Sequence, residues 1–157
     1  MIDDTCSAQW LADQLCSSLG DAVDAVKSGV LVLDCRSADE YSAAHVAGSL
    51  PVVVPSITLR RLRNGSASVA AVVSDPSARS LFTERCRTSH VVLYDSAGDV
   101  VVGSHAVSGG GGDSVVEVLM NRLKKDGCRV SYLLGRSTCR RYRPSRRSGI
   151  KCVTDSA

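Results

Sequence analysis

Two unbroken apolar runs, Val30-Leu31-Val32-Leu33 and Val91-Val92-Leu93-Tyr94, limit what this chain can fold into more than any other feature. Each is rich in β-branched and aliphatic residues, lacks polar alternation, and stops at an aspartate, Asp34 or Asp95. Such a run suits a strand buried on both faces, which is the situation of a central parallel strand. Two further strands are expected over residues 49–54, where Pro51 fits only a strand's start or edge, and over residues 128–134. Helices are expected between them. One spans residues 7–16, capped by Ser7 with Trp10, Leu11 and Leu15 on one stripe, and a short one lies near residues 38–41. Another spans residues 55–65, with Ser56 as cap and Gly65 as terminator, and a clear one spans residues 115–125, capped by Asp113 or Ser114 and closed by Gly127. Residues 66–79, small, polar and broken by Pro76, are expected to form a loop with a turn or two of helix. Strands alternating with helices give an α/β fold, a mostly parallel central sheet with helices on both faces.

The 157 residues suffice for one domain with a proper core. No apolar run approaches the roughly 18 residues of a membrane span, and no positive segment followed by an apolar one opens the chain, so the cytosol or nucleus is the expected setting. The seven cysteines (6, 16, 35, 86, 128, 139 and 152) are odd in number, scattered, and without a Cys-x-x-Cys pair. They are expected to be reduced structural thiols, with no metal and no cofactor. Charge is unevenly placed. Residues 135–157 hold seven of the 19 Lys/Arg and one of the 16 acids, a net of +6, which leaves 12 basic and 15 acidic residues, a net of −3, in residues 1–134.

The stretch from Leu31 to Ser49 contains an apolar strand ending in Asp34-Cys35-Arg36, an acid before Tyr41, and then His45-Val46-Ala47-Gly48-Ser49. It resembles the signature of the rhodanese family, with order and spacing kept over about twenty residues. Asp34 and Arg36 are expected to pair and to orient the strand's end, and His45 to be a satisfied structural histidine. The resemblance implies a sulfur-carrying cysteine after the next central strand. Asp95 stands there instead, and a carboxylate neither accepts a sulfane sulfur nor welcomes an anionic donor. Ser96-Ala97-Gly98-Asp99 adds another acid where anion binding wants bare N–H groups. No catalytic residue is therefore expected, and a small sulfurtransferase is the disfavoured alternative.

An inactive rhodanese-like domain with Tyr94-Asp95 at this point resembles the N-terminal domain of the MAP kinase phosphatases, which are dual-specificity phosphatases. Leu59-Arg60-Arg61-Leu62-Arg63-Asn64-Gly65 followed by Val69 resembles that family's kinase interaction motif, particularly in the cytoplasmic branch that prefers extracellular-signal-regulated kinases. Ser114-Val115-Val116, Leu123-Lys124-Lys125-Asp126-Gly127-Cys128-Arg129 and Tyr132-Leu133 continue the likeness in the same order, over roughly residues 8–135. By itself, a short helix with these residues is a solvated basic turn whose leucines pack inward. The resemblance implies instead that it meets an acidic docking groove on a MAP kinase. Arg60 and Arg61 would then be the principal charges, Arg63 an auxiliary one, and Leu62 and Val69 apolar anchors. The phosphatase motif His-Cys-x-x-Gly-x-x-Arg occurs nowhere in the 157 residues, so no phosphatase activity is expected of this chain.

Regular patterning ends at Gly135. The domain is accordingly placed at residues 1–135, and residues 136–157 are expected to be a basic, disordered tail whose abrupt onset suggests a frame-shifted or alternative end. Gly109-Gly110-Gly111-Gly112 is expected to be a flexible loop. Clustered arginine in the tail would suit phosphate, but one Tyr and no nucleic-acid-binding motif make nucleic acid a minor alternative.

Overall fold

The computed structural model describes residues 5–17, 29–46, 48–95, 114–134 and 152–153. The tetraglycine, the acidic stretch after Asp95 and most of the basic tail lie outside them. The two apolar runs become strands β2 (Val30–Asp34) and β5 (His90–Tyr94), paired in parallel over their whole length, with Leu31 opposite Val91 and Leu33 opposite Leu93. Strand β6 (Arg129–Leu134) lies in parallel on the other side of β5, and the two-residue β4 (Leu50–Pro51) flanks β2. A further strand, β1 (Thr5–Ser7), closes the β6 edge, so the five strands run in the order β1-β6-β5-β2-β4, all parallel. Pro51, which has no N–H for a ladder, stands on the edge strand where its chemistry allows it. Past it, Val52 still donates its N–H to the Asp34 carbonyl at 3.0 Å and also bridges to Val73. The strand expected over residues 49–54 is thus cut to two residues.

Side-chain alternation divides the core. Leu31, Leu33, Val91, Leu93, Val130 and Tyr132 face one side, against helices α3 (Ser56–Arg63), α4 (Pro76–Arg85) and α5 (Val115–Lys125) and a 3-10 turn, Val69–Val72. Val30, Val32, Val92, Tyr94 and Leu133 face the other, against Leu11 of α1 (Ala8–Ser17) and Val46 of β3 (His45–Val46). Trp10 and Leu15 of the expected α1 stripe pack at its margin, and Ser7 caps the helix through Oγ, 3.1 Å from the Trp10 N–H. Strand β3 pairs antiparallel with β7 (Cys152–Val153).

Helix α4 corrects the expected loop. Asp75 accepts the Ala78 N–H at 2.7 Å and Pro76 occupies the first helical turn, so the proline that read as a breaker is a helix starter. Ser56 is likewise corrected. It is the first residue of α3, and Pro55 takes the cap position without a side-chain bond. Ser114 does cap α5, accepting the Glu117 N–H at 3.2 Å.

At the start of β5, His90 meets the Trp10 ring at 5.1 Å between centroids and the Ser131 hydroxyl at 2.8 Å. Burial, and secondarily the charge of Arg129, hold its imidazole below the ordinary value of 6.5. The unfolded chain therefore takes up this proton first as pH falls. The contribution of His90 to stability is present above pH 6.5 and declines below it. Urea midpoints on either side of that pH are expected to differ more for the wild type than for His90→Gln.

Candidate functional site

In parallel α/β sheets the chemistry gathers at the carboxyl ends of the strands. Here Asp34 ends β2 and is followed by Cys35, and Asp95 follows β5. Asp34 is buried, and the Arg36 side chain, only 6% exposed, wraps it. Nη2 lies 2.7 Å from Oδ2, Nε lies 3.0 Å from Oδ1, and the Arg36 N–H reaches Oδ1 at 2.9 Å. Nη2 also donates to the Ala44 carbonyl at 2.6 Å, and the Tyr94 hydroxyl donates to Asp34 Oδ2. The Asp34 hydrogen bond, foremost among several causes, raises the Arg36 pKa, so its charge is fixed; burial followed by the bond to Asp34 pushes the Tyr94 phenol up. The rest of the signature stretch ties down the same corner. His45 Nδ1 lies 2.9 Å from the Tyr41 carbonyl, its ring stacks on Tyr41 at 3.9 Å, and the Tyr41 hydroxyl donates to the Ser49 carbonyl at 3.0 Å. These residues lock the β2–α2–β3 connection, α2 being Ala38–Ala43 with a Ser37–Glu40 capping box.

A sulfur-transfer centre would need a thiolate here. Asp95 instead accepts a hydrogen bond from the Tyr132 hydroxyl at 2.7 Å. The nearby Cys35 thiol is pushed far up, first by burial and then by the charges of Asp34 and Asp95, and a protonated thiol is a poor nucleophile. Cys6, Cys35, Cys86 and Cys128 are free thiols. Among the described residues no group of three His, Cys, Asp or Glu is placed to hold a metal ion.

The basic motif forms α3. Arg60, Arg61 and Arg63 fill its last turn, where the negative end of the helix dipole favours cations, and all three are exposed. The helix stops in a Schellman turn: the Gly65 N–H donates to the Leu62 carbonyl at 3.2 Å and the Ser66 N–H to the Arg61 carbonyl at 2.9 Å. Gly65 takes a φ of +77°, and a Cβ there would come within 3.2 Å of Arg122 Nη1. Gly65→Ala is therefore expected to cost about 1–2 kcal/mol of stability, read as a shift in the urea midpoint.

The apolar half of the expected site lies in the core. Leu62 and Val69 are each 2% exposed, in the core cluster beneath α3 and the 3-10 turn. Leu59 packs against that cluster as well. Leu62 and the partly buried Leu59 hold the helix to the domain, and Val69 anchors the 3-10 turn. The exposed apolar side chain of α3 is Ile57, 62% exposed, one helical turn before Arg60 and Arg61 and on their face. The i, i+3, i+4 spacing of residues 57, 60 and 61 was the signal available in the sequence.

Comparison with known proteins fixes the family. The pattern of the rhodanese-like domain matches residues 12–107. The chain belongs to the rhodanese-like family. Over 126 residues this rhodanese-like domain is 37% identical to human dual specificity protein phosphatase 6, a match covering 80% of this chain and 30% of that protein. Dual specificity protein phosphatase Mpk3 of Drosophila melanogaster is 35% identical over 136 residues (83% and 31%), and human dual specificity protein phosphatase 7 is 30% identical over 129 (82% and 28%). The chain spans less than a third of these relatives. A solved structure, the BH2092 protein of Bacillus halodurans, aligns with a TM-score of 0.46 at 13% identity over 85% of this chain and 68% of its own.

Proposed function

We propose that this rhodanese-like domain is a non-catalytic docking module for a MAP kinase of the extracellular-signal-regulated type, acting in the cytoplasm, and that it has no phosphatase activity of its own. The observation that carries the reading is the exposure of Arg60, Arg61 and Arg63 on one short helix pinned to the core by Leu62, in a domain similar to part of dual specificity phosphatases. The helix backbone is already ordered, and the planar guanidinium fork loses less freedom per hydrogen bond made to a carboxylate than a flexible ammonium would. Arg60 and Arg61 supply the main charges, Arg63 assists, and Ile57 replaces Leu62 and Val69 as the apolar contact. Nothing in this arrangement turns over a substrate; occupying the kinase's docking groove is itself the effect, by competition with other proteins that use it. Among the described residues no helix is long and apolar enough to cross a membrane.

Titrating purified kinase with this chain at increasing ionic strength tests the reading. Affinity is expected to fall steeply with salt, since exposed charge pairs are screened over about 8–10 Å under physiological conditions. Binding indifferent to salt would contradict it.

A further inference from the structure

Between α3 and α5 lies a cleft of about 330 Å³, and its lining is cationic. Arg63 and Asn64 come from the end of α3, and Asn121, Arg122 and Lys125 from the exposed side of α5, over a floor that includes Leu62. Arg122 is poorly matched inside the domain. Its Nη2 meets Asp126 at a long 3.4 Å, and its Nε is buried with no acceptor. Gly65, lacking a Cβ, leaves the room in which Arg122 Nη1 lies against the turn after α3. Arg63 belongs both to the cleft and to the α3 motif, so the cations run on from Arg60 and Arg61 across the helix pair to Lys125.

We infer that this cleft is a second part of the docking surface and receives an acidic side chain, Asp or Glu, from the partner kinase. The inference rests on the docking reading above and extends it to α5. A carboxylate fits better than a phosphoryl group. Asp126 already places one negative charge beside Arg122, which a dianion would meet with about twice the repulsion felt by a monoanion. A guanidinium fork flanked by amide donors also suits the two coplanar oxygens of a carboxylate.

The test compares kinase binding by calorimetry for the full chain, Lys125→Glu and Lys124→Glu. Both lysines are exposed on α5 and both changes alter net charge equally, but Lys124 does not line the cleft. Lys125→Glu is expected to weaken binding about tenfold or more, and Lys124→Glu by no more than about twofold. Equal losses would show a diffuse field effect and overturn the inference. If Lys125→Glu binds normally while Arg60→Ala/Arg61→Ala does not, the cleft reading fails and the docking reading stands. If the wild type does not bind, both fail.

Discussion

Arg36→Ala is expected to lower the stability of this domain by about 3–5 kcal/mol, the usual cost of removing one partner from a buried ion pair. Asp34 would be left in the sheet's interior without the Arg36 guanidinium, keeping only the backbone N–H of position 36 and the Tyr94 hydroxyl as donors. The Ala44 carbonyl would also lose the Nη2 donor it meets at 2.6 Å. Against the 5–15 kcal/mol of a typical domain this is a large share, so the variant is expected to be partly unfolded well below the wild-type midpoint. Arg36→Lys should recover only a part, because an ammonium cannot bridge both Asp34 oxygens and the Ala44 carbonyl in one plane. Urea denaturation with an unchanged m-value measures this. A loss below about 1 kcal/mol for Arg36→Ala would mean that the pair is an ordinary surface contact and that the signature corner is not held as described.

That corner was legible in the sequence because its parts are local. Asp34, Arg36, Tyr41 and His45 fall within a dozen residues, and their spacing sets the turn out of β2. The buried strands β2 and β5 were legible for a similar reason: an apolar run without alternation has few alternatives to a doubly covered strand. Features that depend on distant segments were less visible. Strand β1 is Thr5-Cys6-Ser7, with no apolar run, and exists because β6, more than 120 positions later, offers it an edge. Helix α4 was hidden for another reason. Pro76 was weighed as a breaker, while the pair Asp75-Pro76, an N-cap followed by a first-turn proline, is a helix start.

The same distinction separates the two halves of the docking motif. The charges of Arg60, Arg61 and Arg63 could be placed on the surface from sequence, since three guanidiniums in one turn have no means of being buried together. Whether Leu62 and Val69 faced outward could not be read locally. It depends on the core built by α4, α5 and the sheet, which takes both side chains and leaves Ile57 outside. The cationic cleft is less local still. Arg63 and Lys125 are far apart in the chain, and the packing of α3 on α5 brings them together.

The proposed docking of α3 on a MAP kinase depends on its arginines. Arg60→Ala/Arg61→Ala removes two charge-assisted hydrogen-bonding groups, each contributing about 1.5–3 kcal/mol when paired. Both residues are exposed, so the fold should survive. The decisive measurement is the affinity of wild type and double variant for an extracellular-signal-regulated kinase, with circular dichroism of both. Measurable wild-type binding and a loss of at least about 100-fold in the double variant are expected, with unchanged spectra. Equal affinities for the two folded proteins, or no binding by the folded wild type, would contradict it.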